Sequence, residues 1–336
     1  MYPIISKKIF KKKKVVKKKV VKIVYKDIDK KISNLSDLIS LHENHDYHFN
    51  HIDNIALKRI VPYIKQLNEM IGMTSVKNSI FKQIVYFLSY KKSDEYLHTC
   101  IMGPPGSGKT CLATILCDIY HNIGIFGKVS NKELKILHRD DLVGQYLGDT
   151  AIKTRKALTN CLGSVVFIDE VYSLGIDSSK QKDSFAKEAI DTLCSFLSEH
   201  REDFICIIAG YEEDVKNCFF SVNKGLERRF PFVHKIEKYT VVELVAIFKS
   251  MLKKYLEKWS LANDVDDEFL TKFFKSNIEE FKNFGGDVET FIANIKMHVS
   301  LRTFGTDEDK YLIVSNDFKI EKKKENNDKS YLCMYT

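Results

Sequence analysis

The run Gly103-Pro104-Pro105-Gly106-Ser107-Gly108-Lys109-Thr110 constrains this chain more than any other feature. It fits the pattern GxxxxGK[ST]. It also sits between a short apolar stretch at 100–102, which reads as a strand end, and a helical stretch at 109–120, the context in which that pattern forms a P-loop. In such a loop the glycines let backbone N–H groups curl around a triphosphate, and the helix N-terminus adds positive potential. Lys109 then reaches the outer phosphates and Thr110 offers its hydroxyl to Mg²⁺. The nucleotide-binding set read from this segment is Gly103 to Thr110 together with Cys111, the next residue.

A P-loop calls for a carboxylate at the end of another central strand. Val165-Val166-Phe167-Ile168-Asp169-Glu170 supplies it: four strand-forming residues, then two acids. Asp169 is expected to hold the Mg²⁺ shell with Thr110, and Glu170 to orient and polarise the attacking water, because phosphoryl transfer is mostly positioning and charge stabilisation. Further on, Arg228 and Arg229 place two of only seven arginines side by side ahead of another short apolar strand. Arginine is what a neighbouring subunit uses to neutralise charge in the transition state. A surface ion pair is the competing reading. Between these motifs lies 141–150, which puts Tyr146 and Leu147 between Gly144 and Gly148 in a segment that reads as loop. An exposed aromatic on a turn can grip a peptide, although a tyrosine packed on its own domain is commoner.

At 336 residues the chain has room for about two domains of ordinary size. With 44% hydrophobic and 29% charged residues it is globular in composition, and no apolar run approaches the roughly 20 residues that span a bilayer. Short apolar runs alternate with helical stretches over 59–236, which predicts βαβ units around a parallel sheet. From 237 to 310 the pattern is helical, opened by a capping-box signature at Thr240 and Glu243, and 311–336 reads as a C-terminal tail whose lysine-rich end after Lys322 is frayed. Residues 1–58 read as a basic tail and linker. The tail holds thirteen lysines in its first 31 residues against Asp27 and Asp29, a local charge of +11 that leaves −3 of the total +8 for everything else. A solvated extension, attachment to nucleic acid or an anionic membrane, and a nuclear-import address all fit such a run. His42, His45, His48 and His51 recur every third residue; a metal site is conceivable, but the intervening residues show no helical core face and the region is assigned to a linker. None of the eight cysteines is spaced CxxC, and Cys111, Cys117, Cys194 and Cys206 sit in apolar stretches as small hydrophobes. A reducing, intracellular setting follows, cytoplasmic or nuclear, with no secretory leader.

Taken together, GPPGSGKT, DLVGQYLGDTAIKT, VVFIDEVYSL, KEAIDTL, EHRED, IIAGY and GLERRF resemble, in order and spacing, AAA+ ATPases of the CbbX/CfxQ and sporulation-protein SpoVK group over about residues 71–232. The resemblance implies an α/β P-loop NTPase with a five-stranded parallel sheet, a C-terminal helical lid and a ring of subunits, usually a hexamer, with nucleotide between them. It makes Tyr146 a pore-loop aromatic that pulls polypeptide, matches Arg229 to the finger arginine with Arg228 as its partner, and matches Ile71 and Gly72 to the segment lining the adenine pocket. Two departures stand out. The lid segment 284–290 has no arginine where relatives place one against the γ-phosphate, and Gly210-Tyr211 offers no obvious water-positioning side chain. The expected function is ATP-driven remodelling or threading of a protein client. The rivals are a nucleic-acid-associated ATPase, loader or helicase-like and held by the lysine tail, and a nucleotide-gated scaffold with little turnover.

Overall fold

The computed structural model describes residues 24–28, 31–43, 47–90, 96–126, 133–146, 148–175, 183–255 and 258–320. Most of the lysine-rich run, His45, Leu147 and the end of the chain beyond 320 lie outside these.

Ahead of the main sheet, β1 (Val24–Lys26) and β2 (Tyr47–Phe49) pair in parallel and flank α1 (Leu35–Glu43). Two long helices follow, α2 (Asn54–Glu69) and α3 (Thr74–Ser89). The central sheet comprises β3 (Thr99–Met102), β4 (Leu134–Leu137), β5 (Val165–Ile168), β6 (Ile205–Gly210) and β7 (Phe232–Lys235). All are parallel, in the order β4-β5-β6-β3-β7. The strands read from their continuous apolar runs, β3, β5 and β6, are the three interior ones, and every residue in them is buried. Parallel strands covered by helices on both faces need apolar side chains on both faces.

Side chains alternate across the sheet as the pleat requires. Ile101, Val165, Phe167, Ile205 and Ile207 point into a core shared with α1, α2, α3 and α4 (Lys109–Ile123). Cys100, Met102, Val166, Ile168, Cys206 and Ile208 point the other way, into a core with α6 (Asp149–Thr159), α7 (Ser184–Glu199) and the aromatics Phe219 and Phe230. The short helices α5 (Arg139–Leu142) and α8 (Glu212–Asp214) follow β4 and β6.

The lid is built from α9 (Val241–Tyr255), α10 (Asp267–Ser276) and α11 (Gly285–Thr303) around a core rich in phenylalanine, including Phe248, Phe274, Phe281 and Phe291. Its capping box forms as expected: the Thr240 amide donates to Glu243 Oε2 at 2.7 Å and the Glu243 amide donates to Thr240 Oγ1 at 3.3 Å.

Three expectations differ from the structure. The segment assigned to a linker contains α1, which buries Leu35 and Leu38 in the main core, and α2 begins at Asn54, capped by Asp53, rather than at residue 59. The lid is not purely helical and does not stop at 310: β8 (Ser260–Leu261) pairs with β9 (Leu312–Ile313), and Phe318 packs into the lid core. Cys111 is exposed rather than a core residue, because it lies on the side of α4 turned away from the sheet, whereas Cys117, Cys194 and Cys206 are buried. Among the described residues no three potential ligands come together as a metal site, and the described histidines of the periodic run fall on a helix, a strand and a turn. No described helix is long and apolar enough to cross a membrane.

Candidate functional site

Sheet order and register bring the motifs together. Met102 pairs with Gly210 and Ile168 pairs with Ile208, so β3, β5 and β6 end close to level. Ligands of open parallel sheets bind in the crevice beyond these carboxyl ends. Here a cavity of about 410 Å³ lies there, lined by 105–110, Asp169, Glu170, Tyr172, Gly210 and Tyr211 on the sheet side and by Met251, Gly285, Gly286 and Glu289 from the lid.

The P-loop owes its shape to glycine. Gly106 has φ +64° and Gly108 has φ +87°, left-handed values that cost a side-chain-bearing residue energy. Gly106 also permits a close approach: a Cβ there would lie 1.8 Å from the Asn283 carbonyl oxygen of the lid. The Gly285 amide donates to the Gly106 carbonyl at 3.1 Å, and the Tyr239 hydroxyl donates to the Ser107 carbonyl at 2.9 Å. The lid therefore docks directly on the loop. Ser107 Oγ is buried without a hydrogen-bond partner, and α4 starts immediately behind it.

Lys109 folds back over the loop and donates to the carbonyls of Gly103 at 3.1 Å and Pro104 at 2.9 Å. Burial pulls its ammonium below the ordinary lysine value, and the carboxylates of Asp169 and Glu170 push the other way. Thr110 Oγ1 donates to Asp169 Oδ2 at 3.2 Å, and Asp169 Oδ1 accepts from the Glu170 amide at 2.9 Å. This is the hydroxyl-plus-carboxylate pair a hard divalent cation takes, each through oxygen. Mg²⁺ fits the donors present. Glu170 has φ +49°, a strained left-handed value at the strand end, which turns the chain abruptly into the 3₁₀ turn 171–174.

Of the other residues read from sequence, Ile71 packs against the lid core and Gly72 (φ +65°) lies against Glu243 and Tyr239. Neither lines the cavity. They adjoin the P-loop through Met70 and Met73, whose methyl groups lie 3.7 Å and 3.3 Å from where a Gly108 Cβ would stand. Tyr146 is 71% exposed at the tip of a tight loop. The Asp149 amide donates to its carbonyl, and the Gly144 amide donates to Thr150 Oγ1 at 3.1 Å. Leu147 lies outside the described residues. Arg228 is exposed, while Arg229 is half-buried. The Arg229 guanidinium donates to Ser198 Oγ at 2.8 and 2.6 Å and to the Gly225 carbonyl, and it lies over the Tyr96 ring. Its partners are neutral, whereas Arg139, Arg155 and Arg302 pair with carboxylates.

The sequence reading missed Tyr172, Tyr211 and the lid residues Gly285, Gly286 and Glu289 as parts of the cavity wall. A tyrosine after a buried strand was the available signal for Tyr211. The lid segment carried a negative one, its lack of arginine, and Lys109 is the cation among the cavity's lining residues.

Residues 99–236 match the family described as ATPase family associated with various cellular activities (AAA). A cfxQ-like protein of Acanthamoeba polyphaga mimivirus is 41% identical over 275 residues, covering 80% of this chain and 66% of the relative. Stage V sporulation protein K of Bacillus subtilis is 35% identical, covering 56% of this chain and 59% of that protein. The chloroplastic ribulose bisphosphate carboxylase/oxygenase activase of Cyanidioschyzon merolae is 31% identical, covering 71% of this chain and 81% of that protein. The chain thus spans somewhat less than two thirds of the length of the first two of these relatives.

Proposed function

Because the chain belongs to the AAA family of ATPases, within its CfxQ and SpoVK-like group, we propose that it hydrolyses ATP and uses the energy to remodel or thread a protein client. The observation that carries this reading is the convergence of Lys109, the Thr110–Asp169 pair and Glu170 on one cavity closed by the lid.

In this reading the 103–110 backbone cradles the triphosphate, and Lys109 exchanges its two carbonyl acceptors for phosphate oxygens. Cys111, exposed beside Thr110, falls at the nucleotide's edge, and Ile71 and Gly72 support the adenine end through Met70 and Met73. Mg²⁺, when bound by Thr110 and Asp169, supplies charge neutralisation on the phosphates. Glu170 accepts a proton from the attacking water, and the lid excludes bulk water through Tyr239 and Gly285. Arg229 reaches the nucleotide of a neighbouring subunit in a homo-oligomer, a hexamer in this reading. Its neutral partners orient the guanidinium without cancelling its charge, which favours an anion as its target, and the exposed Arg228 assists. Tyr146, with Leu147, grips the client. A protein client is favoured by the relative that is named an activase of an enzyme and by the lack of lysines immediately beside Tyr146.

Two variants test the nucleotide chemistry. Lys109→Ala should lose ATP binding, while Glu170→Gln should bind ATP and lose turnover, both read by equilibrium titration and phosphate release. Equal loss of affinity in the two would refute the assigned roles.

A further inference from the structure

Tyr211 follows β6, the strand that the sheet order places between β3, which carries the P-loop, and β5, which carries Asp169 and Glu170. Its ring stacks on that of Tyr172, with centroids 5.2 Å apart and planes 22° from parallel. The Lys109 ammonium lies 5.1 Å from the Tyr211 centroid, within cation–π range. All three side chains line the phosphate cavity together with Glu170. Gly210 makes room for the stack: a Cβ there would lie 3.0 Å from Tyr172 Cδ1 and 2.6 Å from Val215 Cγ2.

Tyr172 stands two residues beyond Glu170 in a turn closed by the Ser173 amide donating to the Glu170 carbonyl at 2.8 Å. The backbone of Glu170 is thereby fixed, and its carboxylate is placed by what it meets. Burial, the Tyr211 hydroxyl and the Glu170 carboxylate together hold the Tyr172 phenol above the ordinary tyrosine value, so it remains a hydrogen-bond donor across the working range of pH.

We propose that Tyr172 is a positioning residue for Glu170 and that Tyr211 is its brace, so that the stacked pair occupies the place of a polar water-positioning side chain at the end of β6. The inference rests on Glu170 being the base for ATP hydrolysis. Tyr172 donates to the Glu170 carboxylate and fixes its direction. Tyr211 links that hydrogen bond to Lys109, so phosphates that draw the ammonium off the ring are felt through a rigid stack at Glu170.

The test separates a donor from a packing ring. Tyr172→Phe keeps the stack and removes the donor. Its kcat should fall about tenfold while ATP affinity stays within about twofold, since a misdirected base loses rate rather than ground-state binding. Tyr211→Ala should lose a similar factor, and Tyr211→Phe, which keeps the ring, should restore most of it. A Tyr172→Phe protein with wild-type kcat, or one that loses ATP affinity as much as rate, would overturn the proposal, as would Tyr211→Phe as slow as Tyr211→Ala. The underlying reading fails separately, if Glu170→Gln retains turnover.

Discussion

A buried imidazole resists protonation, and two such groups belong to the central sheet, His98 immediately before the interior strand β3 and His234 on the edge strand β7. His98 accepts a hydrogen bond from the Cys206 amide at 3.1 Å, and His234 is buried without a side-chain partner. Burial pulls His98 down to about 3 and His234 to about 4. Each takes up its proton near pH 6.5 when unfolded, so between that value and its folded pKa unfolding binds protons. Their stabilisation is complete above pH 6.5 and is lost as the pH falls, by about 1.4 kcal/mol per pH unit for each. Denaturant unfolding at pH 7 and pH 5 should show this loss, and His234→Leu should show a shallower pH dependence than the wild type; equal slopes would mean that charging His234 costs nothing. Neither histidine could be read as buried from sequence. The P-loop could, because its glycines and lysine act within eight consecutive residues. Tyr211, Tyr172 and Gly285 could not, since each acquires its role through a partner distant in sequence or through the ring geometry of the folded cavity.

Elements were legible to the extent that their burial is written into local pattern. The interior strands β3, β5 and β6 are apolar runs, whereas β4, an edge strand only partly buried and carrying Lys135, has no such run. Helix α1 reads as linker in the sequence because its two core residues, Leu35 and Leu38, gain meaning only from α2 and α3 packed beside them. The loop between α5 and α6 is the opposite case: Gly144 and Gly148 frame Tyr146, and the folded loop leaves that ring exposed. A Cβ on Gly144 would lie 2.8 Å from the Thr150 amide nitrogen, so the tight base of the loop depends on glycine and holds the aromatic at the tip. Tyr146 is not one of the residues that line the cavity. Tyr146→Ala should therefore keep basal ATP hydrolysis within about twofold of wild type, yet lose the client's stimulation of it. Loss of nucleotide affinity and basal turnover together in this variant would show that the loop belongs to the nucleotide site and remove the support for threading.

At the scale of the whole molecule, the chain holds a cavity with Glu170, a hydroxyl–carboxylate pair and a lysine, but its lid contributes Glu289 and two glycines rather than an arginine. In the proposed nucleotide complex the triphosphate's charge is thus left under-neutralised by its own chain. In the proposed oligomer Arg229 is the cation suited to complete it from a neighbour, because Ser198 and Gly225 hold the guanidinium in one orientation and neither carries a negative charge. A finger supplied in trans is worth roughly 10³ to 10⁵ in rate where it has been measured. Complementation between two inactive chains tests this. Arg229→Ala subunits retain an intact phosphate site, and Lys109→Ala subunits retain the finger, so mixing them should restore hydrolysis at interfaces where a Lys109→Ala chain faces an Arg229→Ala nucleotide. Replacing the exposed neighbour as Arg228→Ala shows whether it contributes to the same neutralisation, since full activity of that variant alone assigns the charge to Arg229. If mixed assemblies form, as read by mass, and hydrolysis stays absent, then Arg229 serves its own subunit by bracing Ser198 against the loop at Gly225, and charge neutralisation between subunits must come from elsewhere.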